Sequence, residues 1–195
     1  MHVRTVGTLV LAALGLAGCA TAMGEGSQAL RHGRYVEAAG HFEDALAKDP
    51  DKTDAFLGLG IARYKAGDWD GAIEPLARAV ARAPRWATAR LYLALSHLRK
   101  GDIGPVEEHL AAFVAERPGT RVAAQADRAL RLLRGSEPIS EEMQTFVATS
   151  LEDEAEMERE VIEARRYAYE MELRWRDPYF YDPYYARPYF RLRRR

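Results

Sequence analysis

The chain has 195 residues, room for one or two domains, and a formal net charge of −1 that gives no reason to expect a nucleic-acid partner. Hydrophobic residues make up 48% and charged residues 29%, a balance that fits a helical globular protein. Cys19 is the only cysteine, which excludes internal disulfides and thiolate zinc sites.

Residues 1–18 do not read as fold. Arg4 gives a short basic start, and Val6 to Ala17 is an apolar run. That run is too short to span a bilayer as a mature helix but suits the core of a signal peptide. It ends in Leu16-Ala17-Gly18-Cys19, which resembles a bacterial lipobox. The resemblance implies that Cys19 becomes the mature N-terminus and carries acyl chains such as palmitate. Several chains anchor a protein almost permanently where one is marginal. Bacterial lipoproteins with Asp after the cysteine tend to stay in the inner membrane. Ala20 and Thr21 are unlike that, so the resemblance implies the outer membrane, facing the periplasm.

Residues 19–134 read as a repeat array with a capping helix. Gly33, Gly67 and Gly101 recur at a 34-residue step, and Pro50, Pro84 and Pro118 keep the same step. Between them Ala38, Ala72 and Val106, then Phe42, Leu76 and Leu110, then Ala45, Ala79 and Phe113 stay in register. Glycine ends a first helix because it alone enters the left-handed region cheaply. A small residue five positions on lets a second helix approach, a large apolar one fills the interface, and proline stops the second helix. The first helix of the first repeat is predicted over about Thr21–His32, weakened by Gly24 and Gly26, with order from roughly Ser27. The second repeat runs Thr53–Trp86, with Thr53 or Asp54 as the cap and Pro75 bending its second helix. The third runs Ala87–Thr120; Gly104-Pro105 opens its second helix, and the larger Val106 and Phe113 predict a splayed pair. Arg121–Arg134 then carries a single apolar stripe, as a capping helix does.

With Leu59-Gly60-Ile61-Ala62, Gly67-Asp68-Trp69, Ala72-Ile73, Leu76, Ala79 and Pro84, the chain resembles a tetratricopeptide-repeat array over roughly residues 20–119. The resemblance implies an all-α solenoid of about three helix–turn–helix repeats. It also implies an inner groove lined by Leu30 of repeat one, by Leu57, Ile61, Tyr64 and Lys65 of repeat two, and by Leu91, Leu95, Leu98 and Arg99 of repeat three. Family members that clamp a peptide carboxylate use Lys, Asn and Arg at such positions; this chain departs from that pattern, which argues against that ligand.

Residues 135–140 form a linker broken by Gly135-Ser136-Glu137-Pro138. Ser140, followed by Glu141 and Glu142, opens a long amphipathic helix over 141–175. Its heptad seam is Met143, Val147, Ser150, Glu154, Met157, Val161, Ala164, Ala168, Met171 and Trp175, spoiled by Ser150 and Glu154. Glu152, Asp153, Glu156, Glu160 and Glu163 crowd the opposite face. Residues 176–195 are an irregular tail of Tyr, Phe, Arg and regularly spaced proline, suited to a membrane interface or an anionic partner.

Catalysis has little support. There is no phosphate loop, nucleophile elbow or metal-binding helix, no cofactor or metal is implied, and His97 with His109 reads as packing. An open groove of Leu, Ile and Tyr would be a large apolar patch that monomers rarely leave bare. An amphipathic helix is its natural filler, from a partner or from residues 141–175. The short linker keeps that helix near the array at roughly millimolar effective concentration. The expectation is that Met143, Phe146, Val147 and Leu151 pack on the repeats, while the chain beyond about Glu152 projects into solvent. The functional reading is a lipid-anchored envelope adaptor that binds another envelope protein through the groove, in assembly or secretion. The alternative is a structural lipoprotein that self-associates through the long helix.

Overall fold

The computed structural model describes residues 21–135 and 139–176. Among them are eight helices and no strand. The described part of α1 covers 21–31; α2 is Tyr35–Lys48, α3 Thr53–Lys65, α4 Trp69–Arg82, α5 Ala87–Lys100, α6 Ile103–Glu116, α7 Arg121–Leu133 and α8 Glu141–Arg176. None is long and apolar enough to cross a membrane. The chain divides into two compact units at Glu154, within α8.

In the first unit, each helix from α3 to α7 packs on its chain predecessor, and α3 also packs on α5. This is the all-α solenoid of stacked helix pairs. Gly33, Gly67 and Gly101 have φ of 72°, 84° and 80°. The residue after each glycine donates its N–H back to the last turn of the preceding helix: Arg34 to the Ala29 carbonyl, Asp68 to Arg63 and Asp102 to His97, at 2.9, 2.9 and 3.0 Å. Only glycine enters this turn without strain. The positions in register between the glycines are all buried, Val106 and Phe113 included, so the third pair closes rather than splays. Proline and glycine at the start of α6 leave the helix whole, and Pro75 lies inside a continuous α4.

Two further local expectations fail. Helix α1 runs through Gly24 and Gly26 from residue 21 rather than starting near Ser27. Burial decides it: Ala22 and Ala29 are in the core, and a Cβ at Gly26 would stand 3.0 Å from the Phe42 ring, so this glycine permits close approach. The cap of α3 is Lys52, without a side-chain hydrogen bond, rather than Thr53 or Asp54. Side-chain caps occur instead at α4, where Asp68 accepts from the Gly71 N–H at 2.9 Å, and at α7, where Thr120 accepts from Ala123 at 3.1 Å.

The second unit, from Ala155, is the remainder of α8 among the described residues. Its described side chains are mostly exposed, with Met157, Val161, Ile162 and Leu173 about half exposed. The signal segment and Cys19, residues 136–138 of the linker and the tail from 177 lie outside the described residues.

Candidate functional site

Helices α3, α5 and α7 all meet the start of α8. Three of the predicted groove residues, Tyr64, Lys65 and Arg99, touch α8; the others are buried or half-buried in the array. Leu91, Leu95 and Leu98 of α5 are buried. Ile61 is half-buried. Leu30 and Leu57 are also half-buried and pack into neighbouring core clusters, Leu30 around Phe42 and Leu59, Leu57 around Phe56 and Ala89. Tyr64 is buried and meets Tyr92 edge to face, ring centroids 5.3 Å apart.

Polar side chains of these helices engage α8. The Tyr64 hydroxyl donates to Glu152 Oε2 at 3.1 Å, and Lys65 Nζ pairs with Glu152 Oε1. Lys65 and Glu152 are only 12% and 15% exposed, so the pair is largely withdrawn from water. Arg99 Nη2 donates to Thr149 Oγ1 at 2.9 Å. From α7, Gln125 Nε2 donates to Ser150 Oγ at 2.7 Å, and Arg121 Nε pairs with Glu154 at 3.0 Å. Burial pushes the Tyr64 phenol well above its usual range; the charge of Glu152 adds to this and Arg99 opposes it. Tyr64 is therefore a hydrogen-bond donor at any working pH.

Helix α8 enters these contacts from a capped start. Ser140 Oγ accepts from the Met143 N–H at 3.2 Å, and Gln144 Nε2 donates to the Ile139 carbonyl at the same distance. Val147, Ala148 and Leu151 are then buried. Of the four apolar residues expected to dock, Val147 and Leu151 do. Met143 and Phe146 do not: they are 41% and 67% exposed. Phe146 precedes Val147 by about 100° of helix rotation, which turns it off the buried stripe, and the stripe is completed by Ala148. Glu152 does not lie on a solvated acidic face but is paired with Lys65, and Glu154 is paired with Arg121. Sequence reasoning missed Ala148, Thr149, Gln125 and Arg121 as members of the site. Polar residues at seam positions, Ser150 and Glu154, were the available signal.

Beside Glu152 lies a cavity of about 320 Å³ walled by Tyr35, Tyr64, Trp69, Lys65 and Arg99. Arg99 stacks its guanidinium over the Trp69 ring at 5.7 Å, and its Nε is buried with no hydrogen-bond partner. The arrangement can hold a carboxylate among cations and aromatic walls. His97 and His109 lie apart from it, rings 25° from parallel with centroids 6.2 Å apart, and His97 Nδ1 is 3.4 Å from Asp102. No group of three or more metal-ligating side chains occurs among the described residues.

Residues 23–85 and 59–104 match the family model of the tetratricopeptide repeat. No curated protein matches the chain. Among solved structures, the Yersinia enterocolitica type III secretion chaperone SycD in complex with a peptide of the translocator YopD is 19% identical, with a TM-score of 0.54 over 58% of this chain and 90% of that one. PcrH in complex with the chaperone binding region of PopD is 21% identical, TM-score 0.54, over 58% and 88%. The Arabidopsis OM64 TPR domain is 12% identical, TM-score 0.57, over 60% and 98%. At these identities the likeness is one of fold.

Proposed function

We propose that this tetratricopeptide-repeat chain is a lipid-anchored adaptor of a bacterial cell envelope, held at the outer membrane through Cys19 and binding a partner protein by the inner face of its array. One observation carries the binding half: that face accepts an amphipathic helix, its own α8, burying Val147, Ala148 and Leu151 and pairing Glu152 and Glu154. A surface that recognises one such helix has the chemistry to recognise another. The neighbours SycD, in complex with a peptide of the translocator YopD, and PcrH, in complex with the chaperone binding region of PopD, support a protein partner. The anchoring half rests on Leu16-Ala17-Gly18-Cys19 after the apolar run.

A photo-crosslinking residue at Ile61 should capture a partner in intact cells, and one at the exposed Val36 should not. Equal capture at both positions would remove the groove from the function. Cys19→Ser should release the protein from membranes or leave it unprocessed; mature protein that still fractionates with membranes would refute the anchor. A second reading, self-association, is favoured by the exposure of Met157, Val161 and Leu173 in the second unit. It requires a concentration-dependent dimer in sedimentation of the delipidated chain, where the adaptor is monomeric.

A further inference from the structure

A partner of the groove must enter a face that is already filled. The filling is shallow. Among the described residues three α8 side chains are buried, one of them an alanine, while Met143 and Phe146 stay out. The polar fit is incomplete as well. Arg99 Nε has no hydrogen-bond partner, and the aromatic cavity beside Glu152 is not filled by that carboxylate. A buried donor without a partner costs free energy that a better-fitting ligand would recover. The contacts that do form are charge-specific: Lys65 and Arg121 face carboxylates, and Arg99 faces a hydroxyl. The site therefore selects an acidic helix and rejects a basic one.

We propose that residues 141–154 are a resident, exchangeable ligand of the groove, and that the partner enters as an acidic amphipathic helix of the same arrangement. That arrangement is an adjacent apolar pair, as at Val147 and Ala148, a third apolar residue one turn on, as at Leu151, and carboxylates at the positions of Glu152 and Glu154. The inference rests on the groove reading above and specifies it. The short connection from Arg134 to Ser140 keeps the resident helix at high local concentration. Its own contacts can then be weak, and a partner displaces it only if it binds better or is itself held at the same membrane. The groove stays covered until then, which spares the cell an exposed apolar face.

The test uses the full chain and a fluorescein-labelled, end-blocked peptide of residues 141–155. Leu151→Asp should loosen the resident helix, because its carboxylate cannot be buried in the groove. Peptide affinity, read by anisotropy, should then rise by about tenfold or more over the unsubstituted chain, since the open fraction sets the apparent affinity. The same peptide carrying Glu152→Lys should lose binding to the Leu151→Asp chain. Equal affinity of the two chains for the unaltered peptide would overturn the proposal. Should Leu151→Asp fail to fold, hydrogen exchange on the unsubstituted chain decides. Saturating peptide should speed exchange in 141–154 while α3 and α5 stay protected; binding that leaves 141–154 unchanged overturns exchange at the groove. Capture of a partner through Ile61 with no peptide exchange would overturn the resident-ligand proposal and keep the groove adaptor. Exchange with no capture at Ile61 would sustain exchange and overturn the adaptor.

Discussion

Gly60 lies inside α3 against the second helix of its own repeat, and the same substitution there and at Gly40 should act with opposite sign. A Cβ on Gly60 would stand 2.4 Å from Leu76 Cγ and 2.7 Å from its Cδ2, where ordinary contact begins near 3.4 Å. The shortfall is about 1 Å at the branch carbon, so swinging the end of the side chain does not relieve it. Leu76 is fully buried and has nowhere to retreat. Overpacking of this kind costs about 1–3 kcal/mol, against about 1 kcal/mol recovered by replacing glycine with alanine in a helix interior. An overlap of about 1 Å at a buried branch carbon takes the upper part of that range, about 2–3 kcal/mol, so Gly60→Ala should lose about 1–2 kcal/mol net, a fall of roughly 2–8 °C in Tm for a chain of this size. Gly40, in α2, has nothing within 4 Å of its Cβ position, so Gly40→Ala should gain up to about 1 kcal/mol. Thermal melts followed by circular dichroism give both numbers. In a Leu76→Ala background the cost of Gly60→Ala should vanish, because its contact is gone. A Gly60→Ala protein that melts at or above the parent, or a cost that persists without Leu76, would refute the packing argument.

Asp68→Ala removes the cap that accepts from Gly71 and should cost about 1 kcal/mol, read as a lower denaturation midpoint; an unchanged midpoint would mean water replaces the cap. Ala72→Leu forces a larger side chain into the fully buried contact between α3 and α4 and should cost about 1–3 kcal/mol, with an unaltered melt counting against that contact. Burial holds the His109 imidazole below its ordinary 6.5, with His97 and Arg90 acting the same way and Glu108 opposing. The unfolded chain takes up that proton more readily, so the stability that neutral His109 contributes is whole above pH 6.5 and falls as pH drops below it. The Tm of His109→Gln should therefore decline less than that of the parent between about pH 7.5 and 5.5; parallel declines would show that other groups govern the slope.

The array was legible because its signals are backbone requirements. A left-handed turn that only glycine enters cheaply must recur wherever the helix pair recurs, and a small and a large apolar residue must follow it at set distances for the pair to close. The structure places each of these residues where the 34-residue period put it. Signals that depend on partners distant in sequence were weaker. Gly58 gave no hint of its role, yet a Cβ there would meet the Phe42 ring at 2.5 Å, across the boundary between two repeats. Glu152 read as one of many solvated acids because its partners, Tyr64 and Lys65, stand in a different element, far upstream. Met143 and Phe146 are the larger side chains of their turns and drew attention for that reason. Geometry kept Val147 and Leu151 and put Ala148 in place of that pair, since a groove buries a stripe of a helix rather than its most apolar residues.

The flaws in the seam of α8 follow from the same geometry. Ser150 and Glu154 spoil a heptad that would otherwise run unbroken from Met143, and a coiled-coil reading counts both as losses. They are the residues that find α7: Ser150 accepts from Gln125, and Glu154 pairs with Arg121. On the same stretch Thr149 meets α5 and Glu152 meets α3. Polar contacts to three helices fix the register as apolar burial alone would not. A slip of one residue turns the helix by about 100° and carries Val147 and Leu151 off the groove together with every polar partner. Apolar and polar contacts thus select one register, and an incoming helix must satisfy both sets to replace the resident one. The start of α8 makes its polar contacts with the array, and the regular seam resumes at Met157, past Glu154 and its partner Arg121.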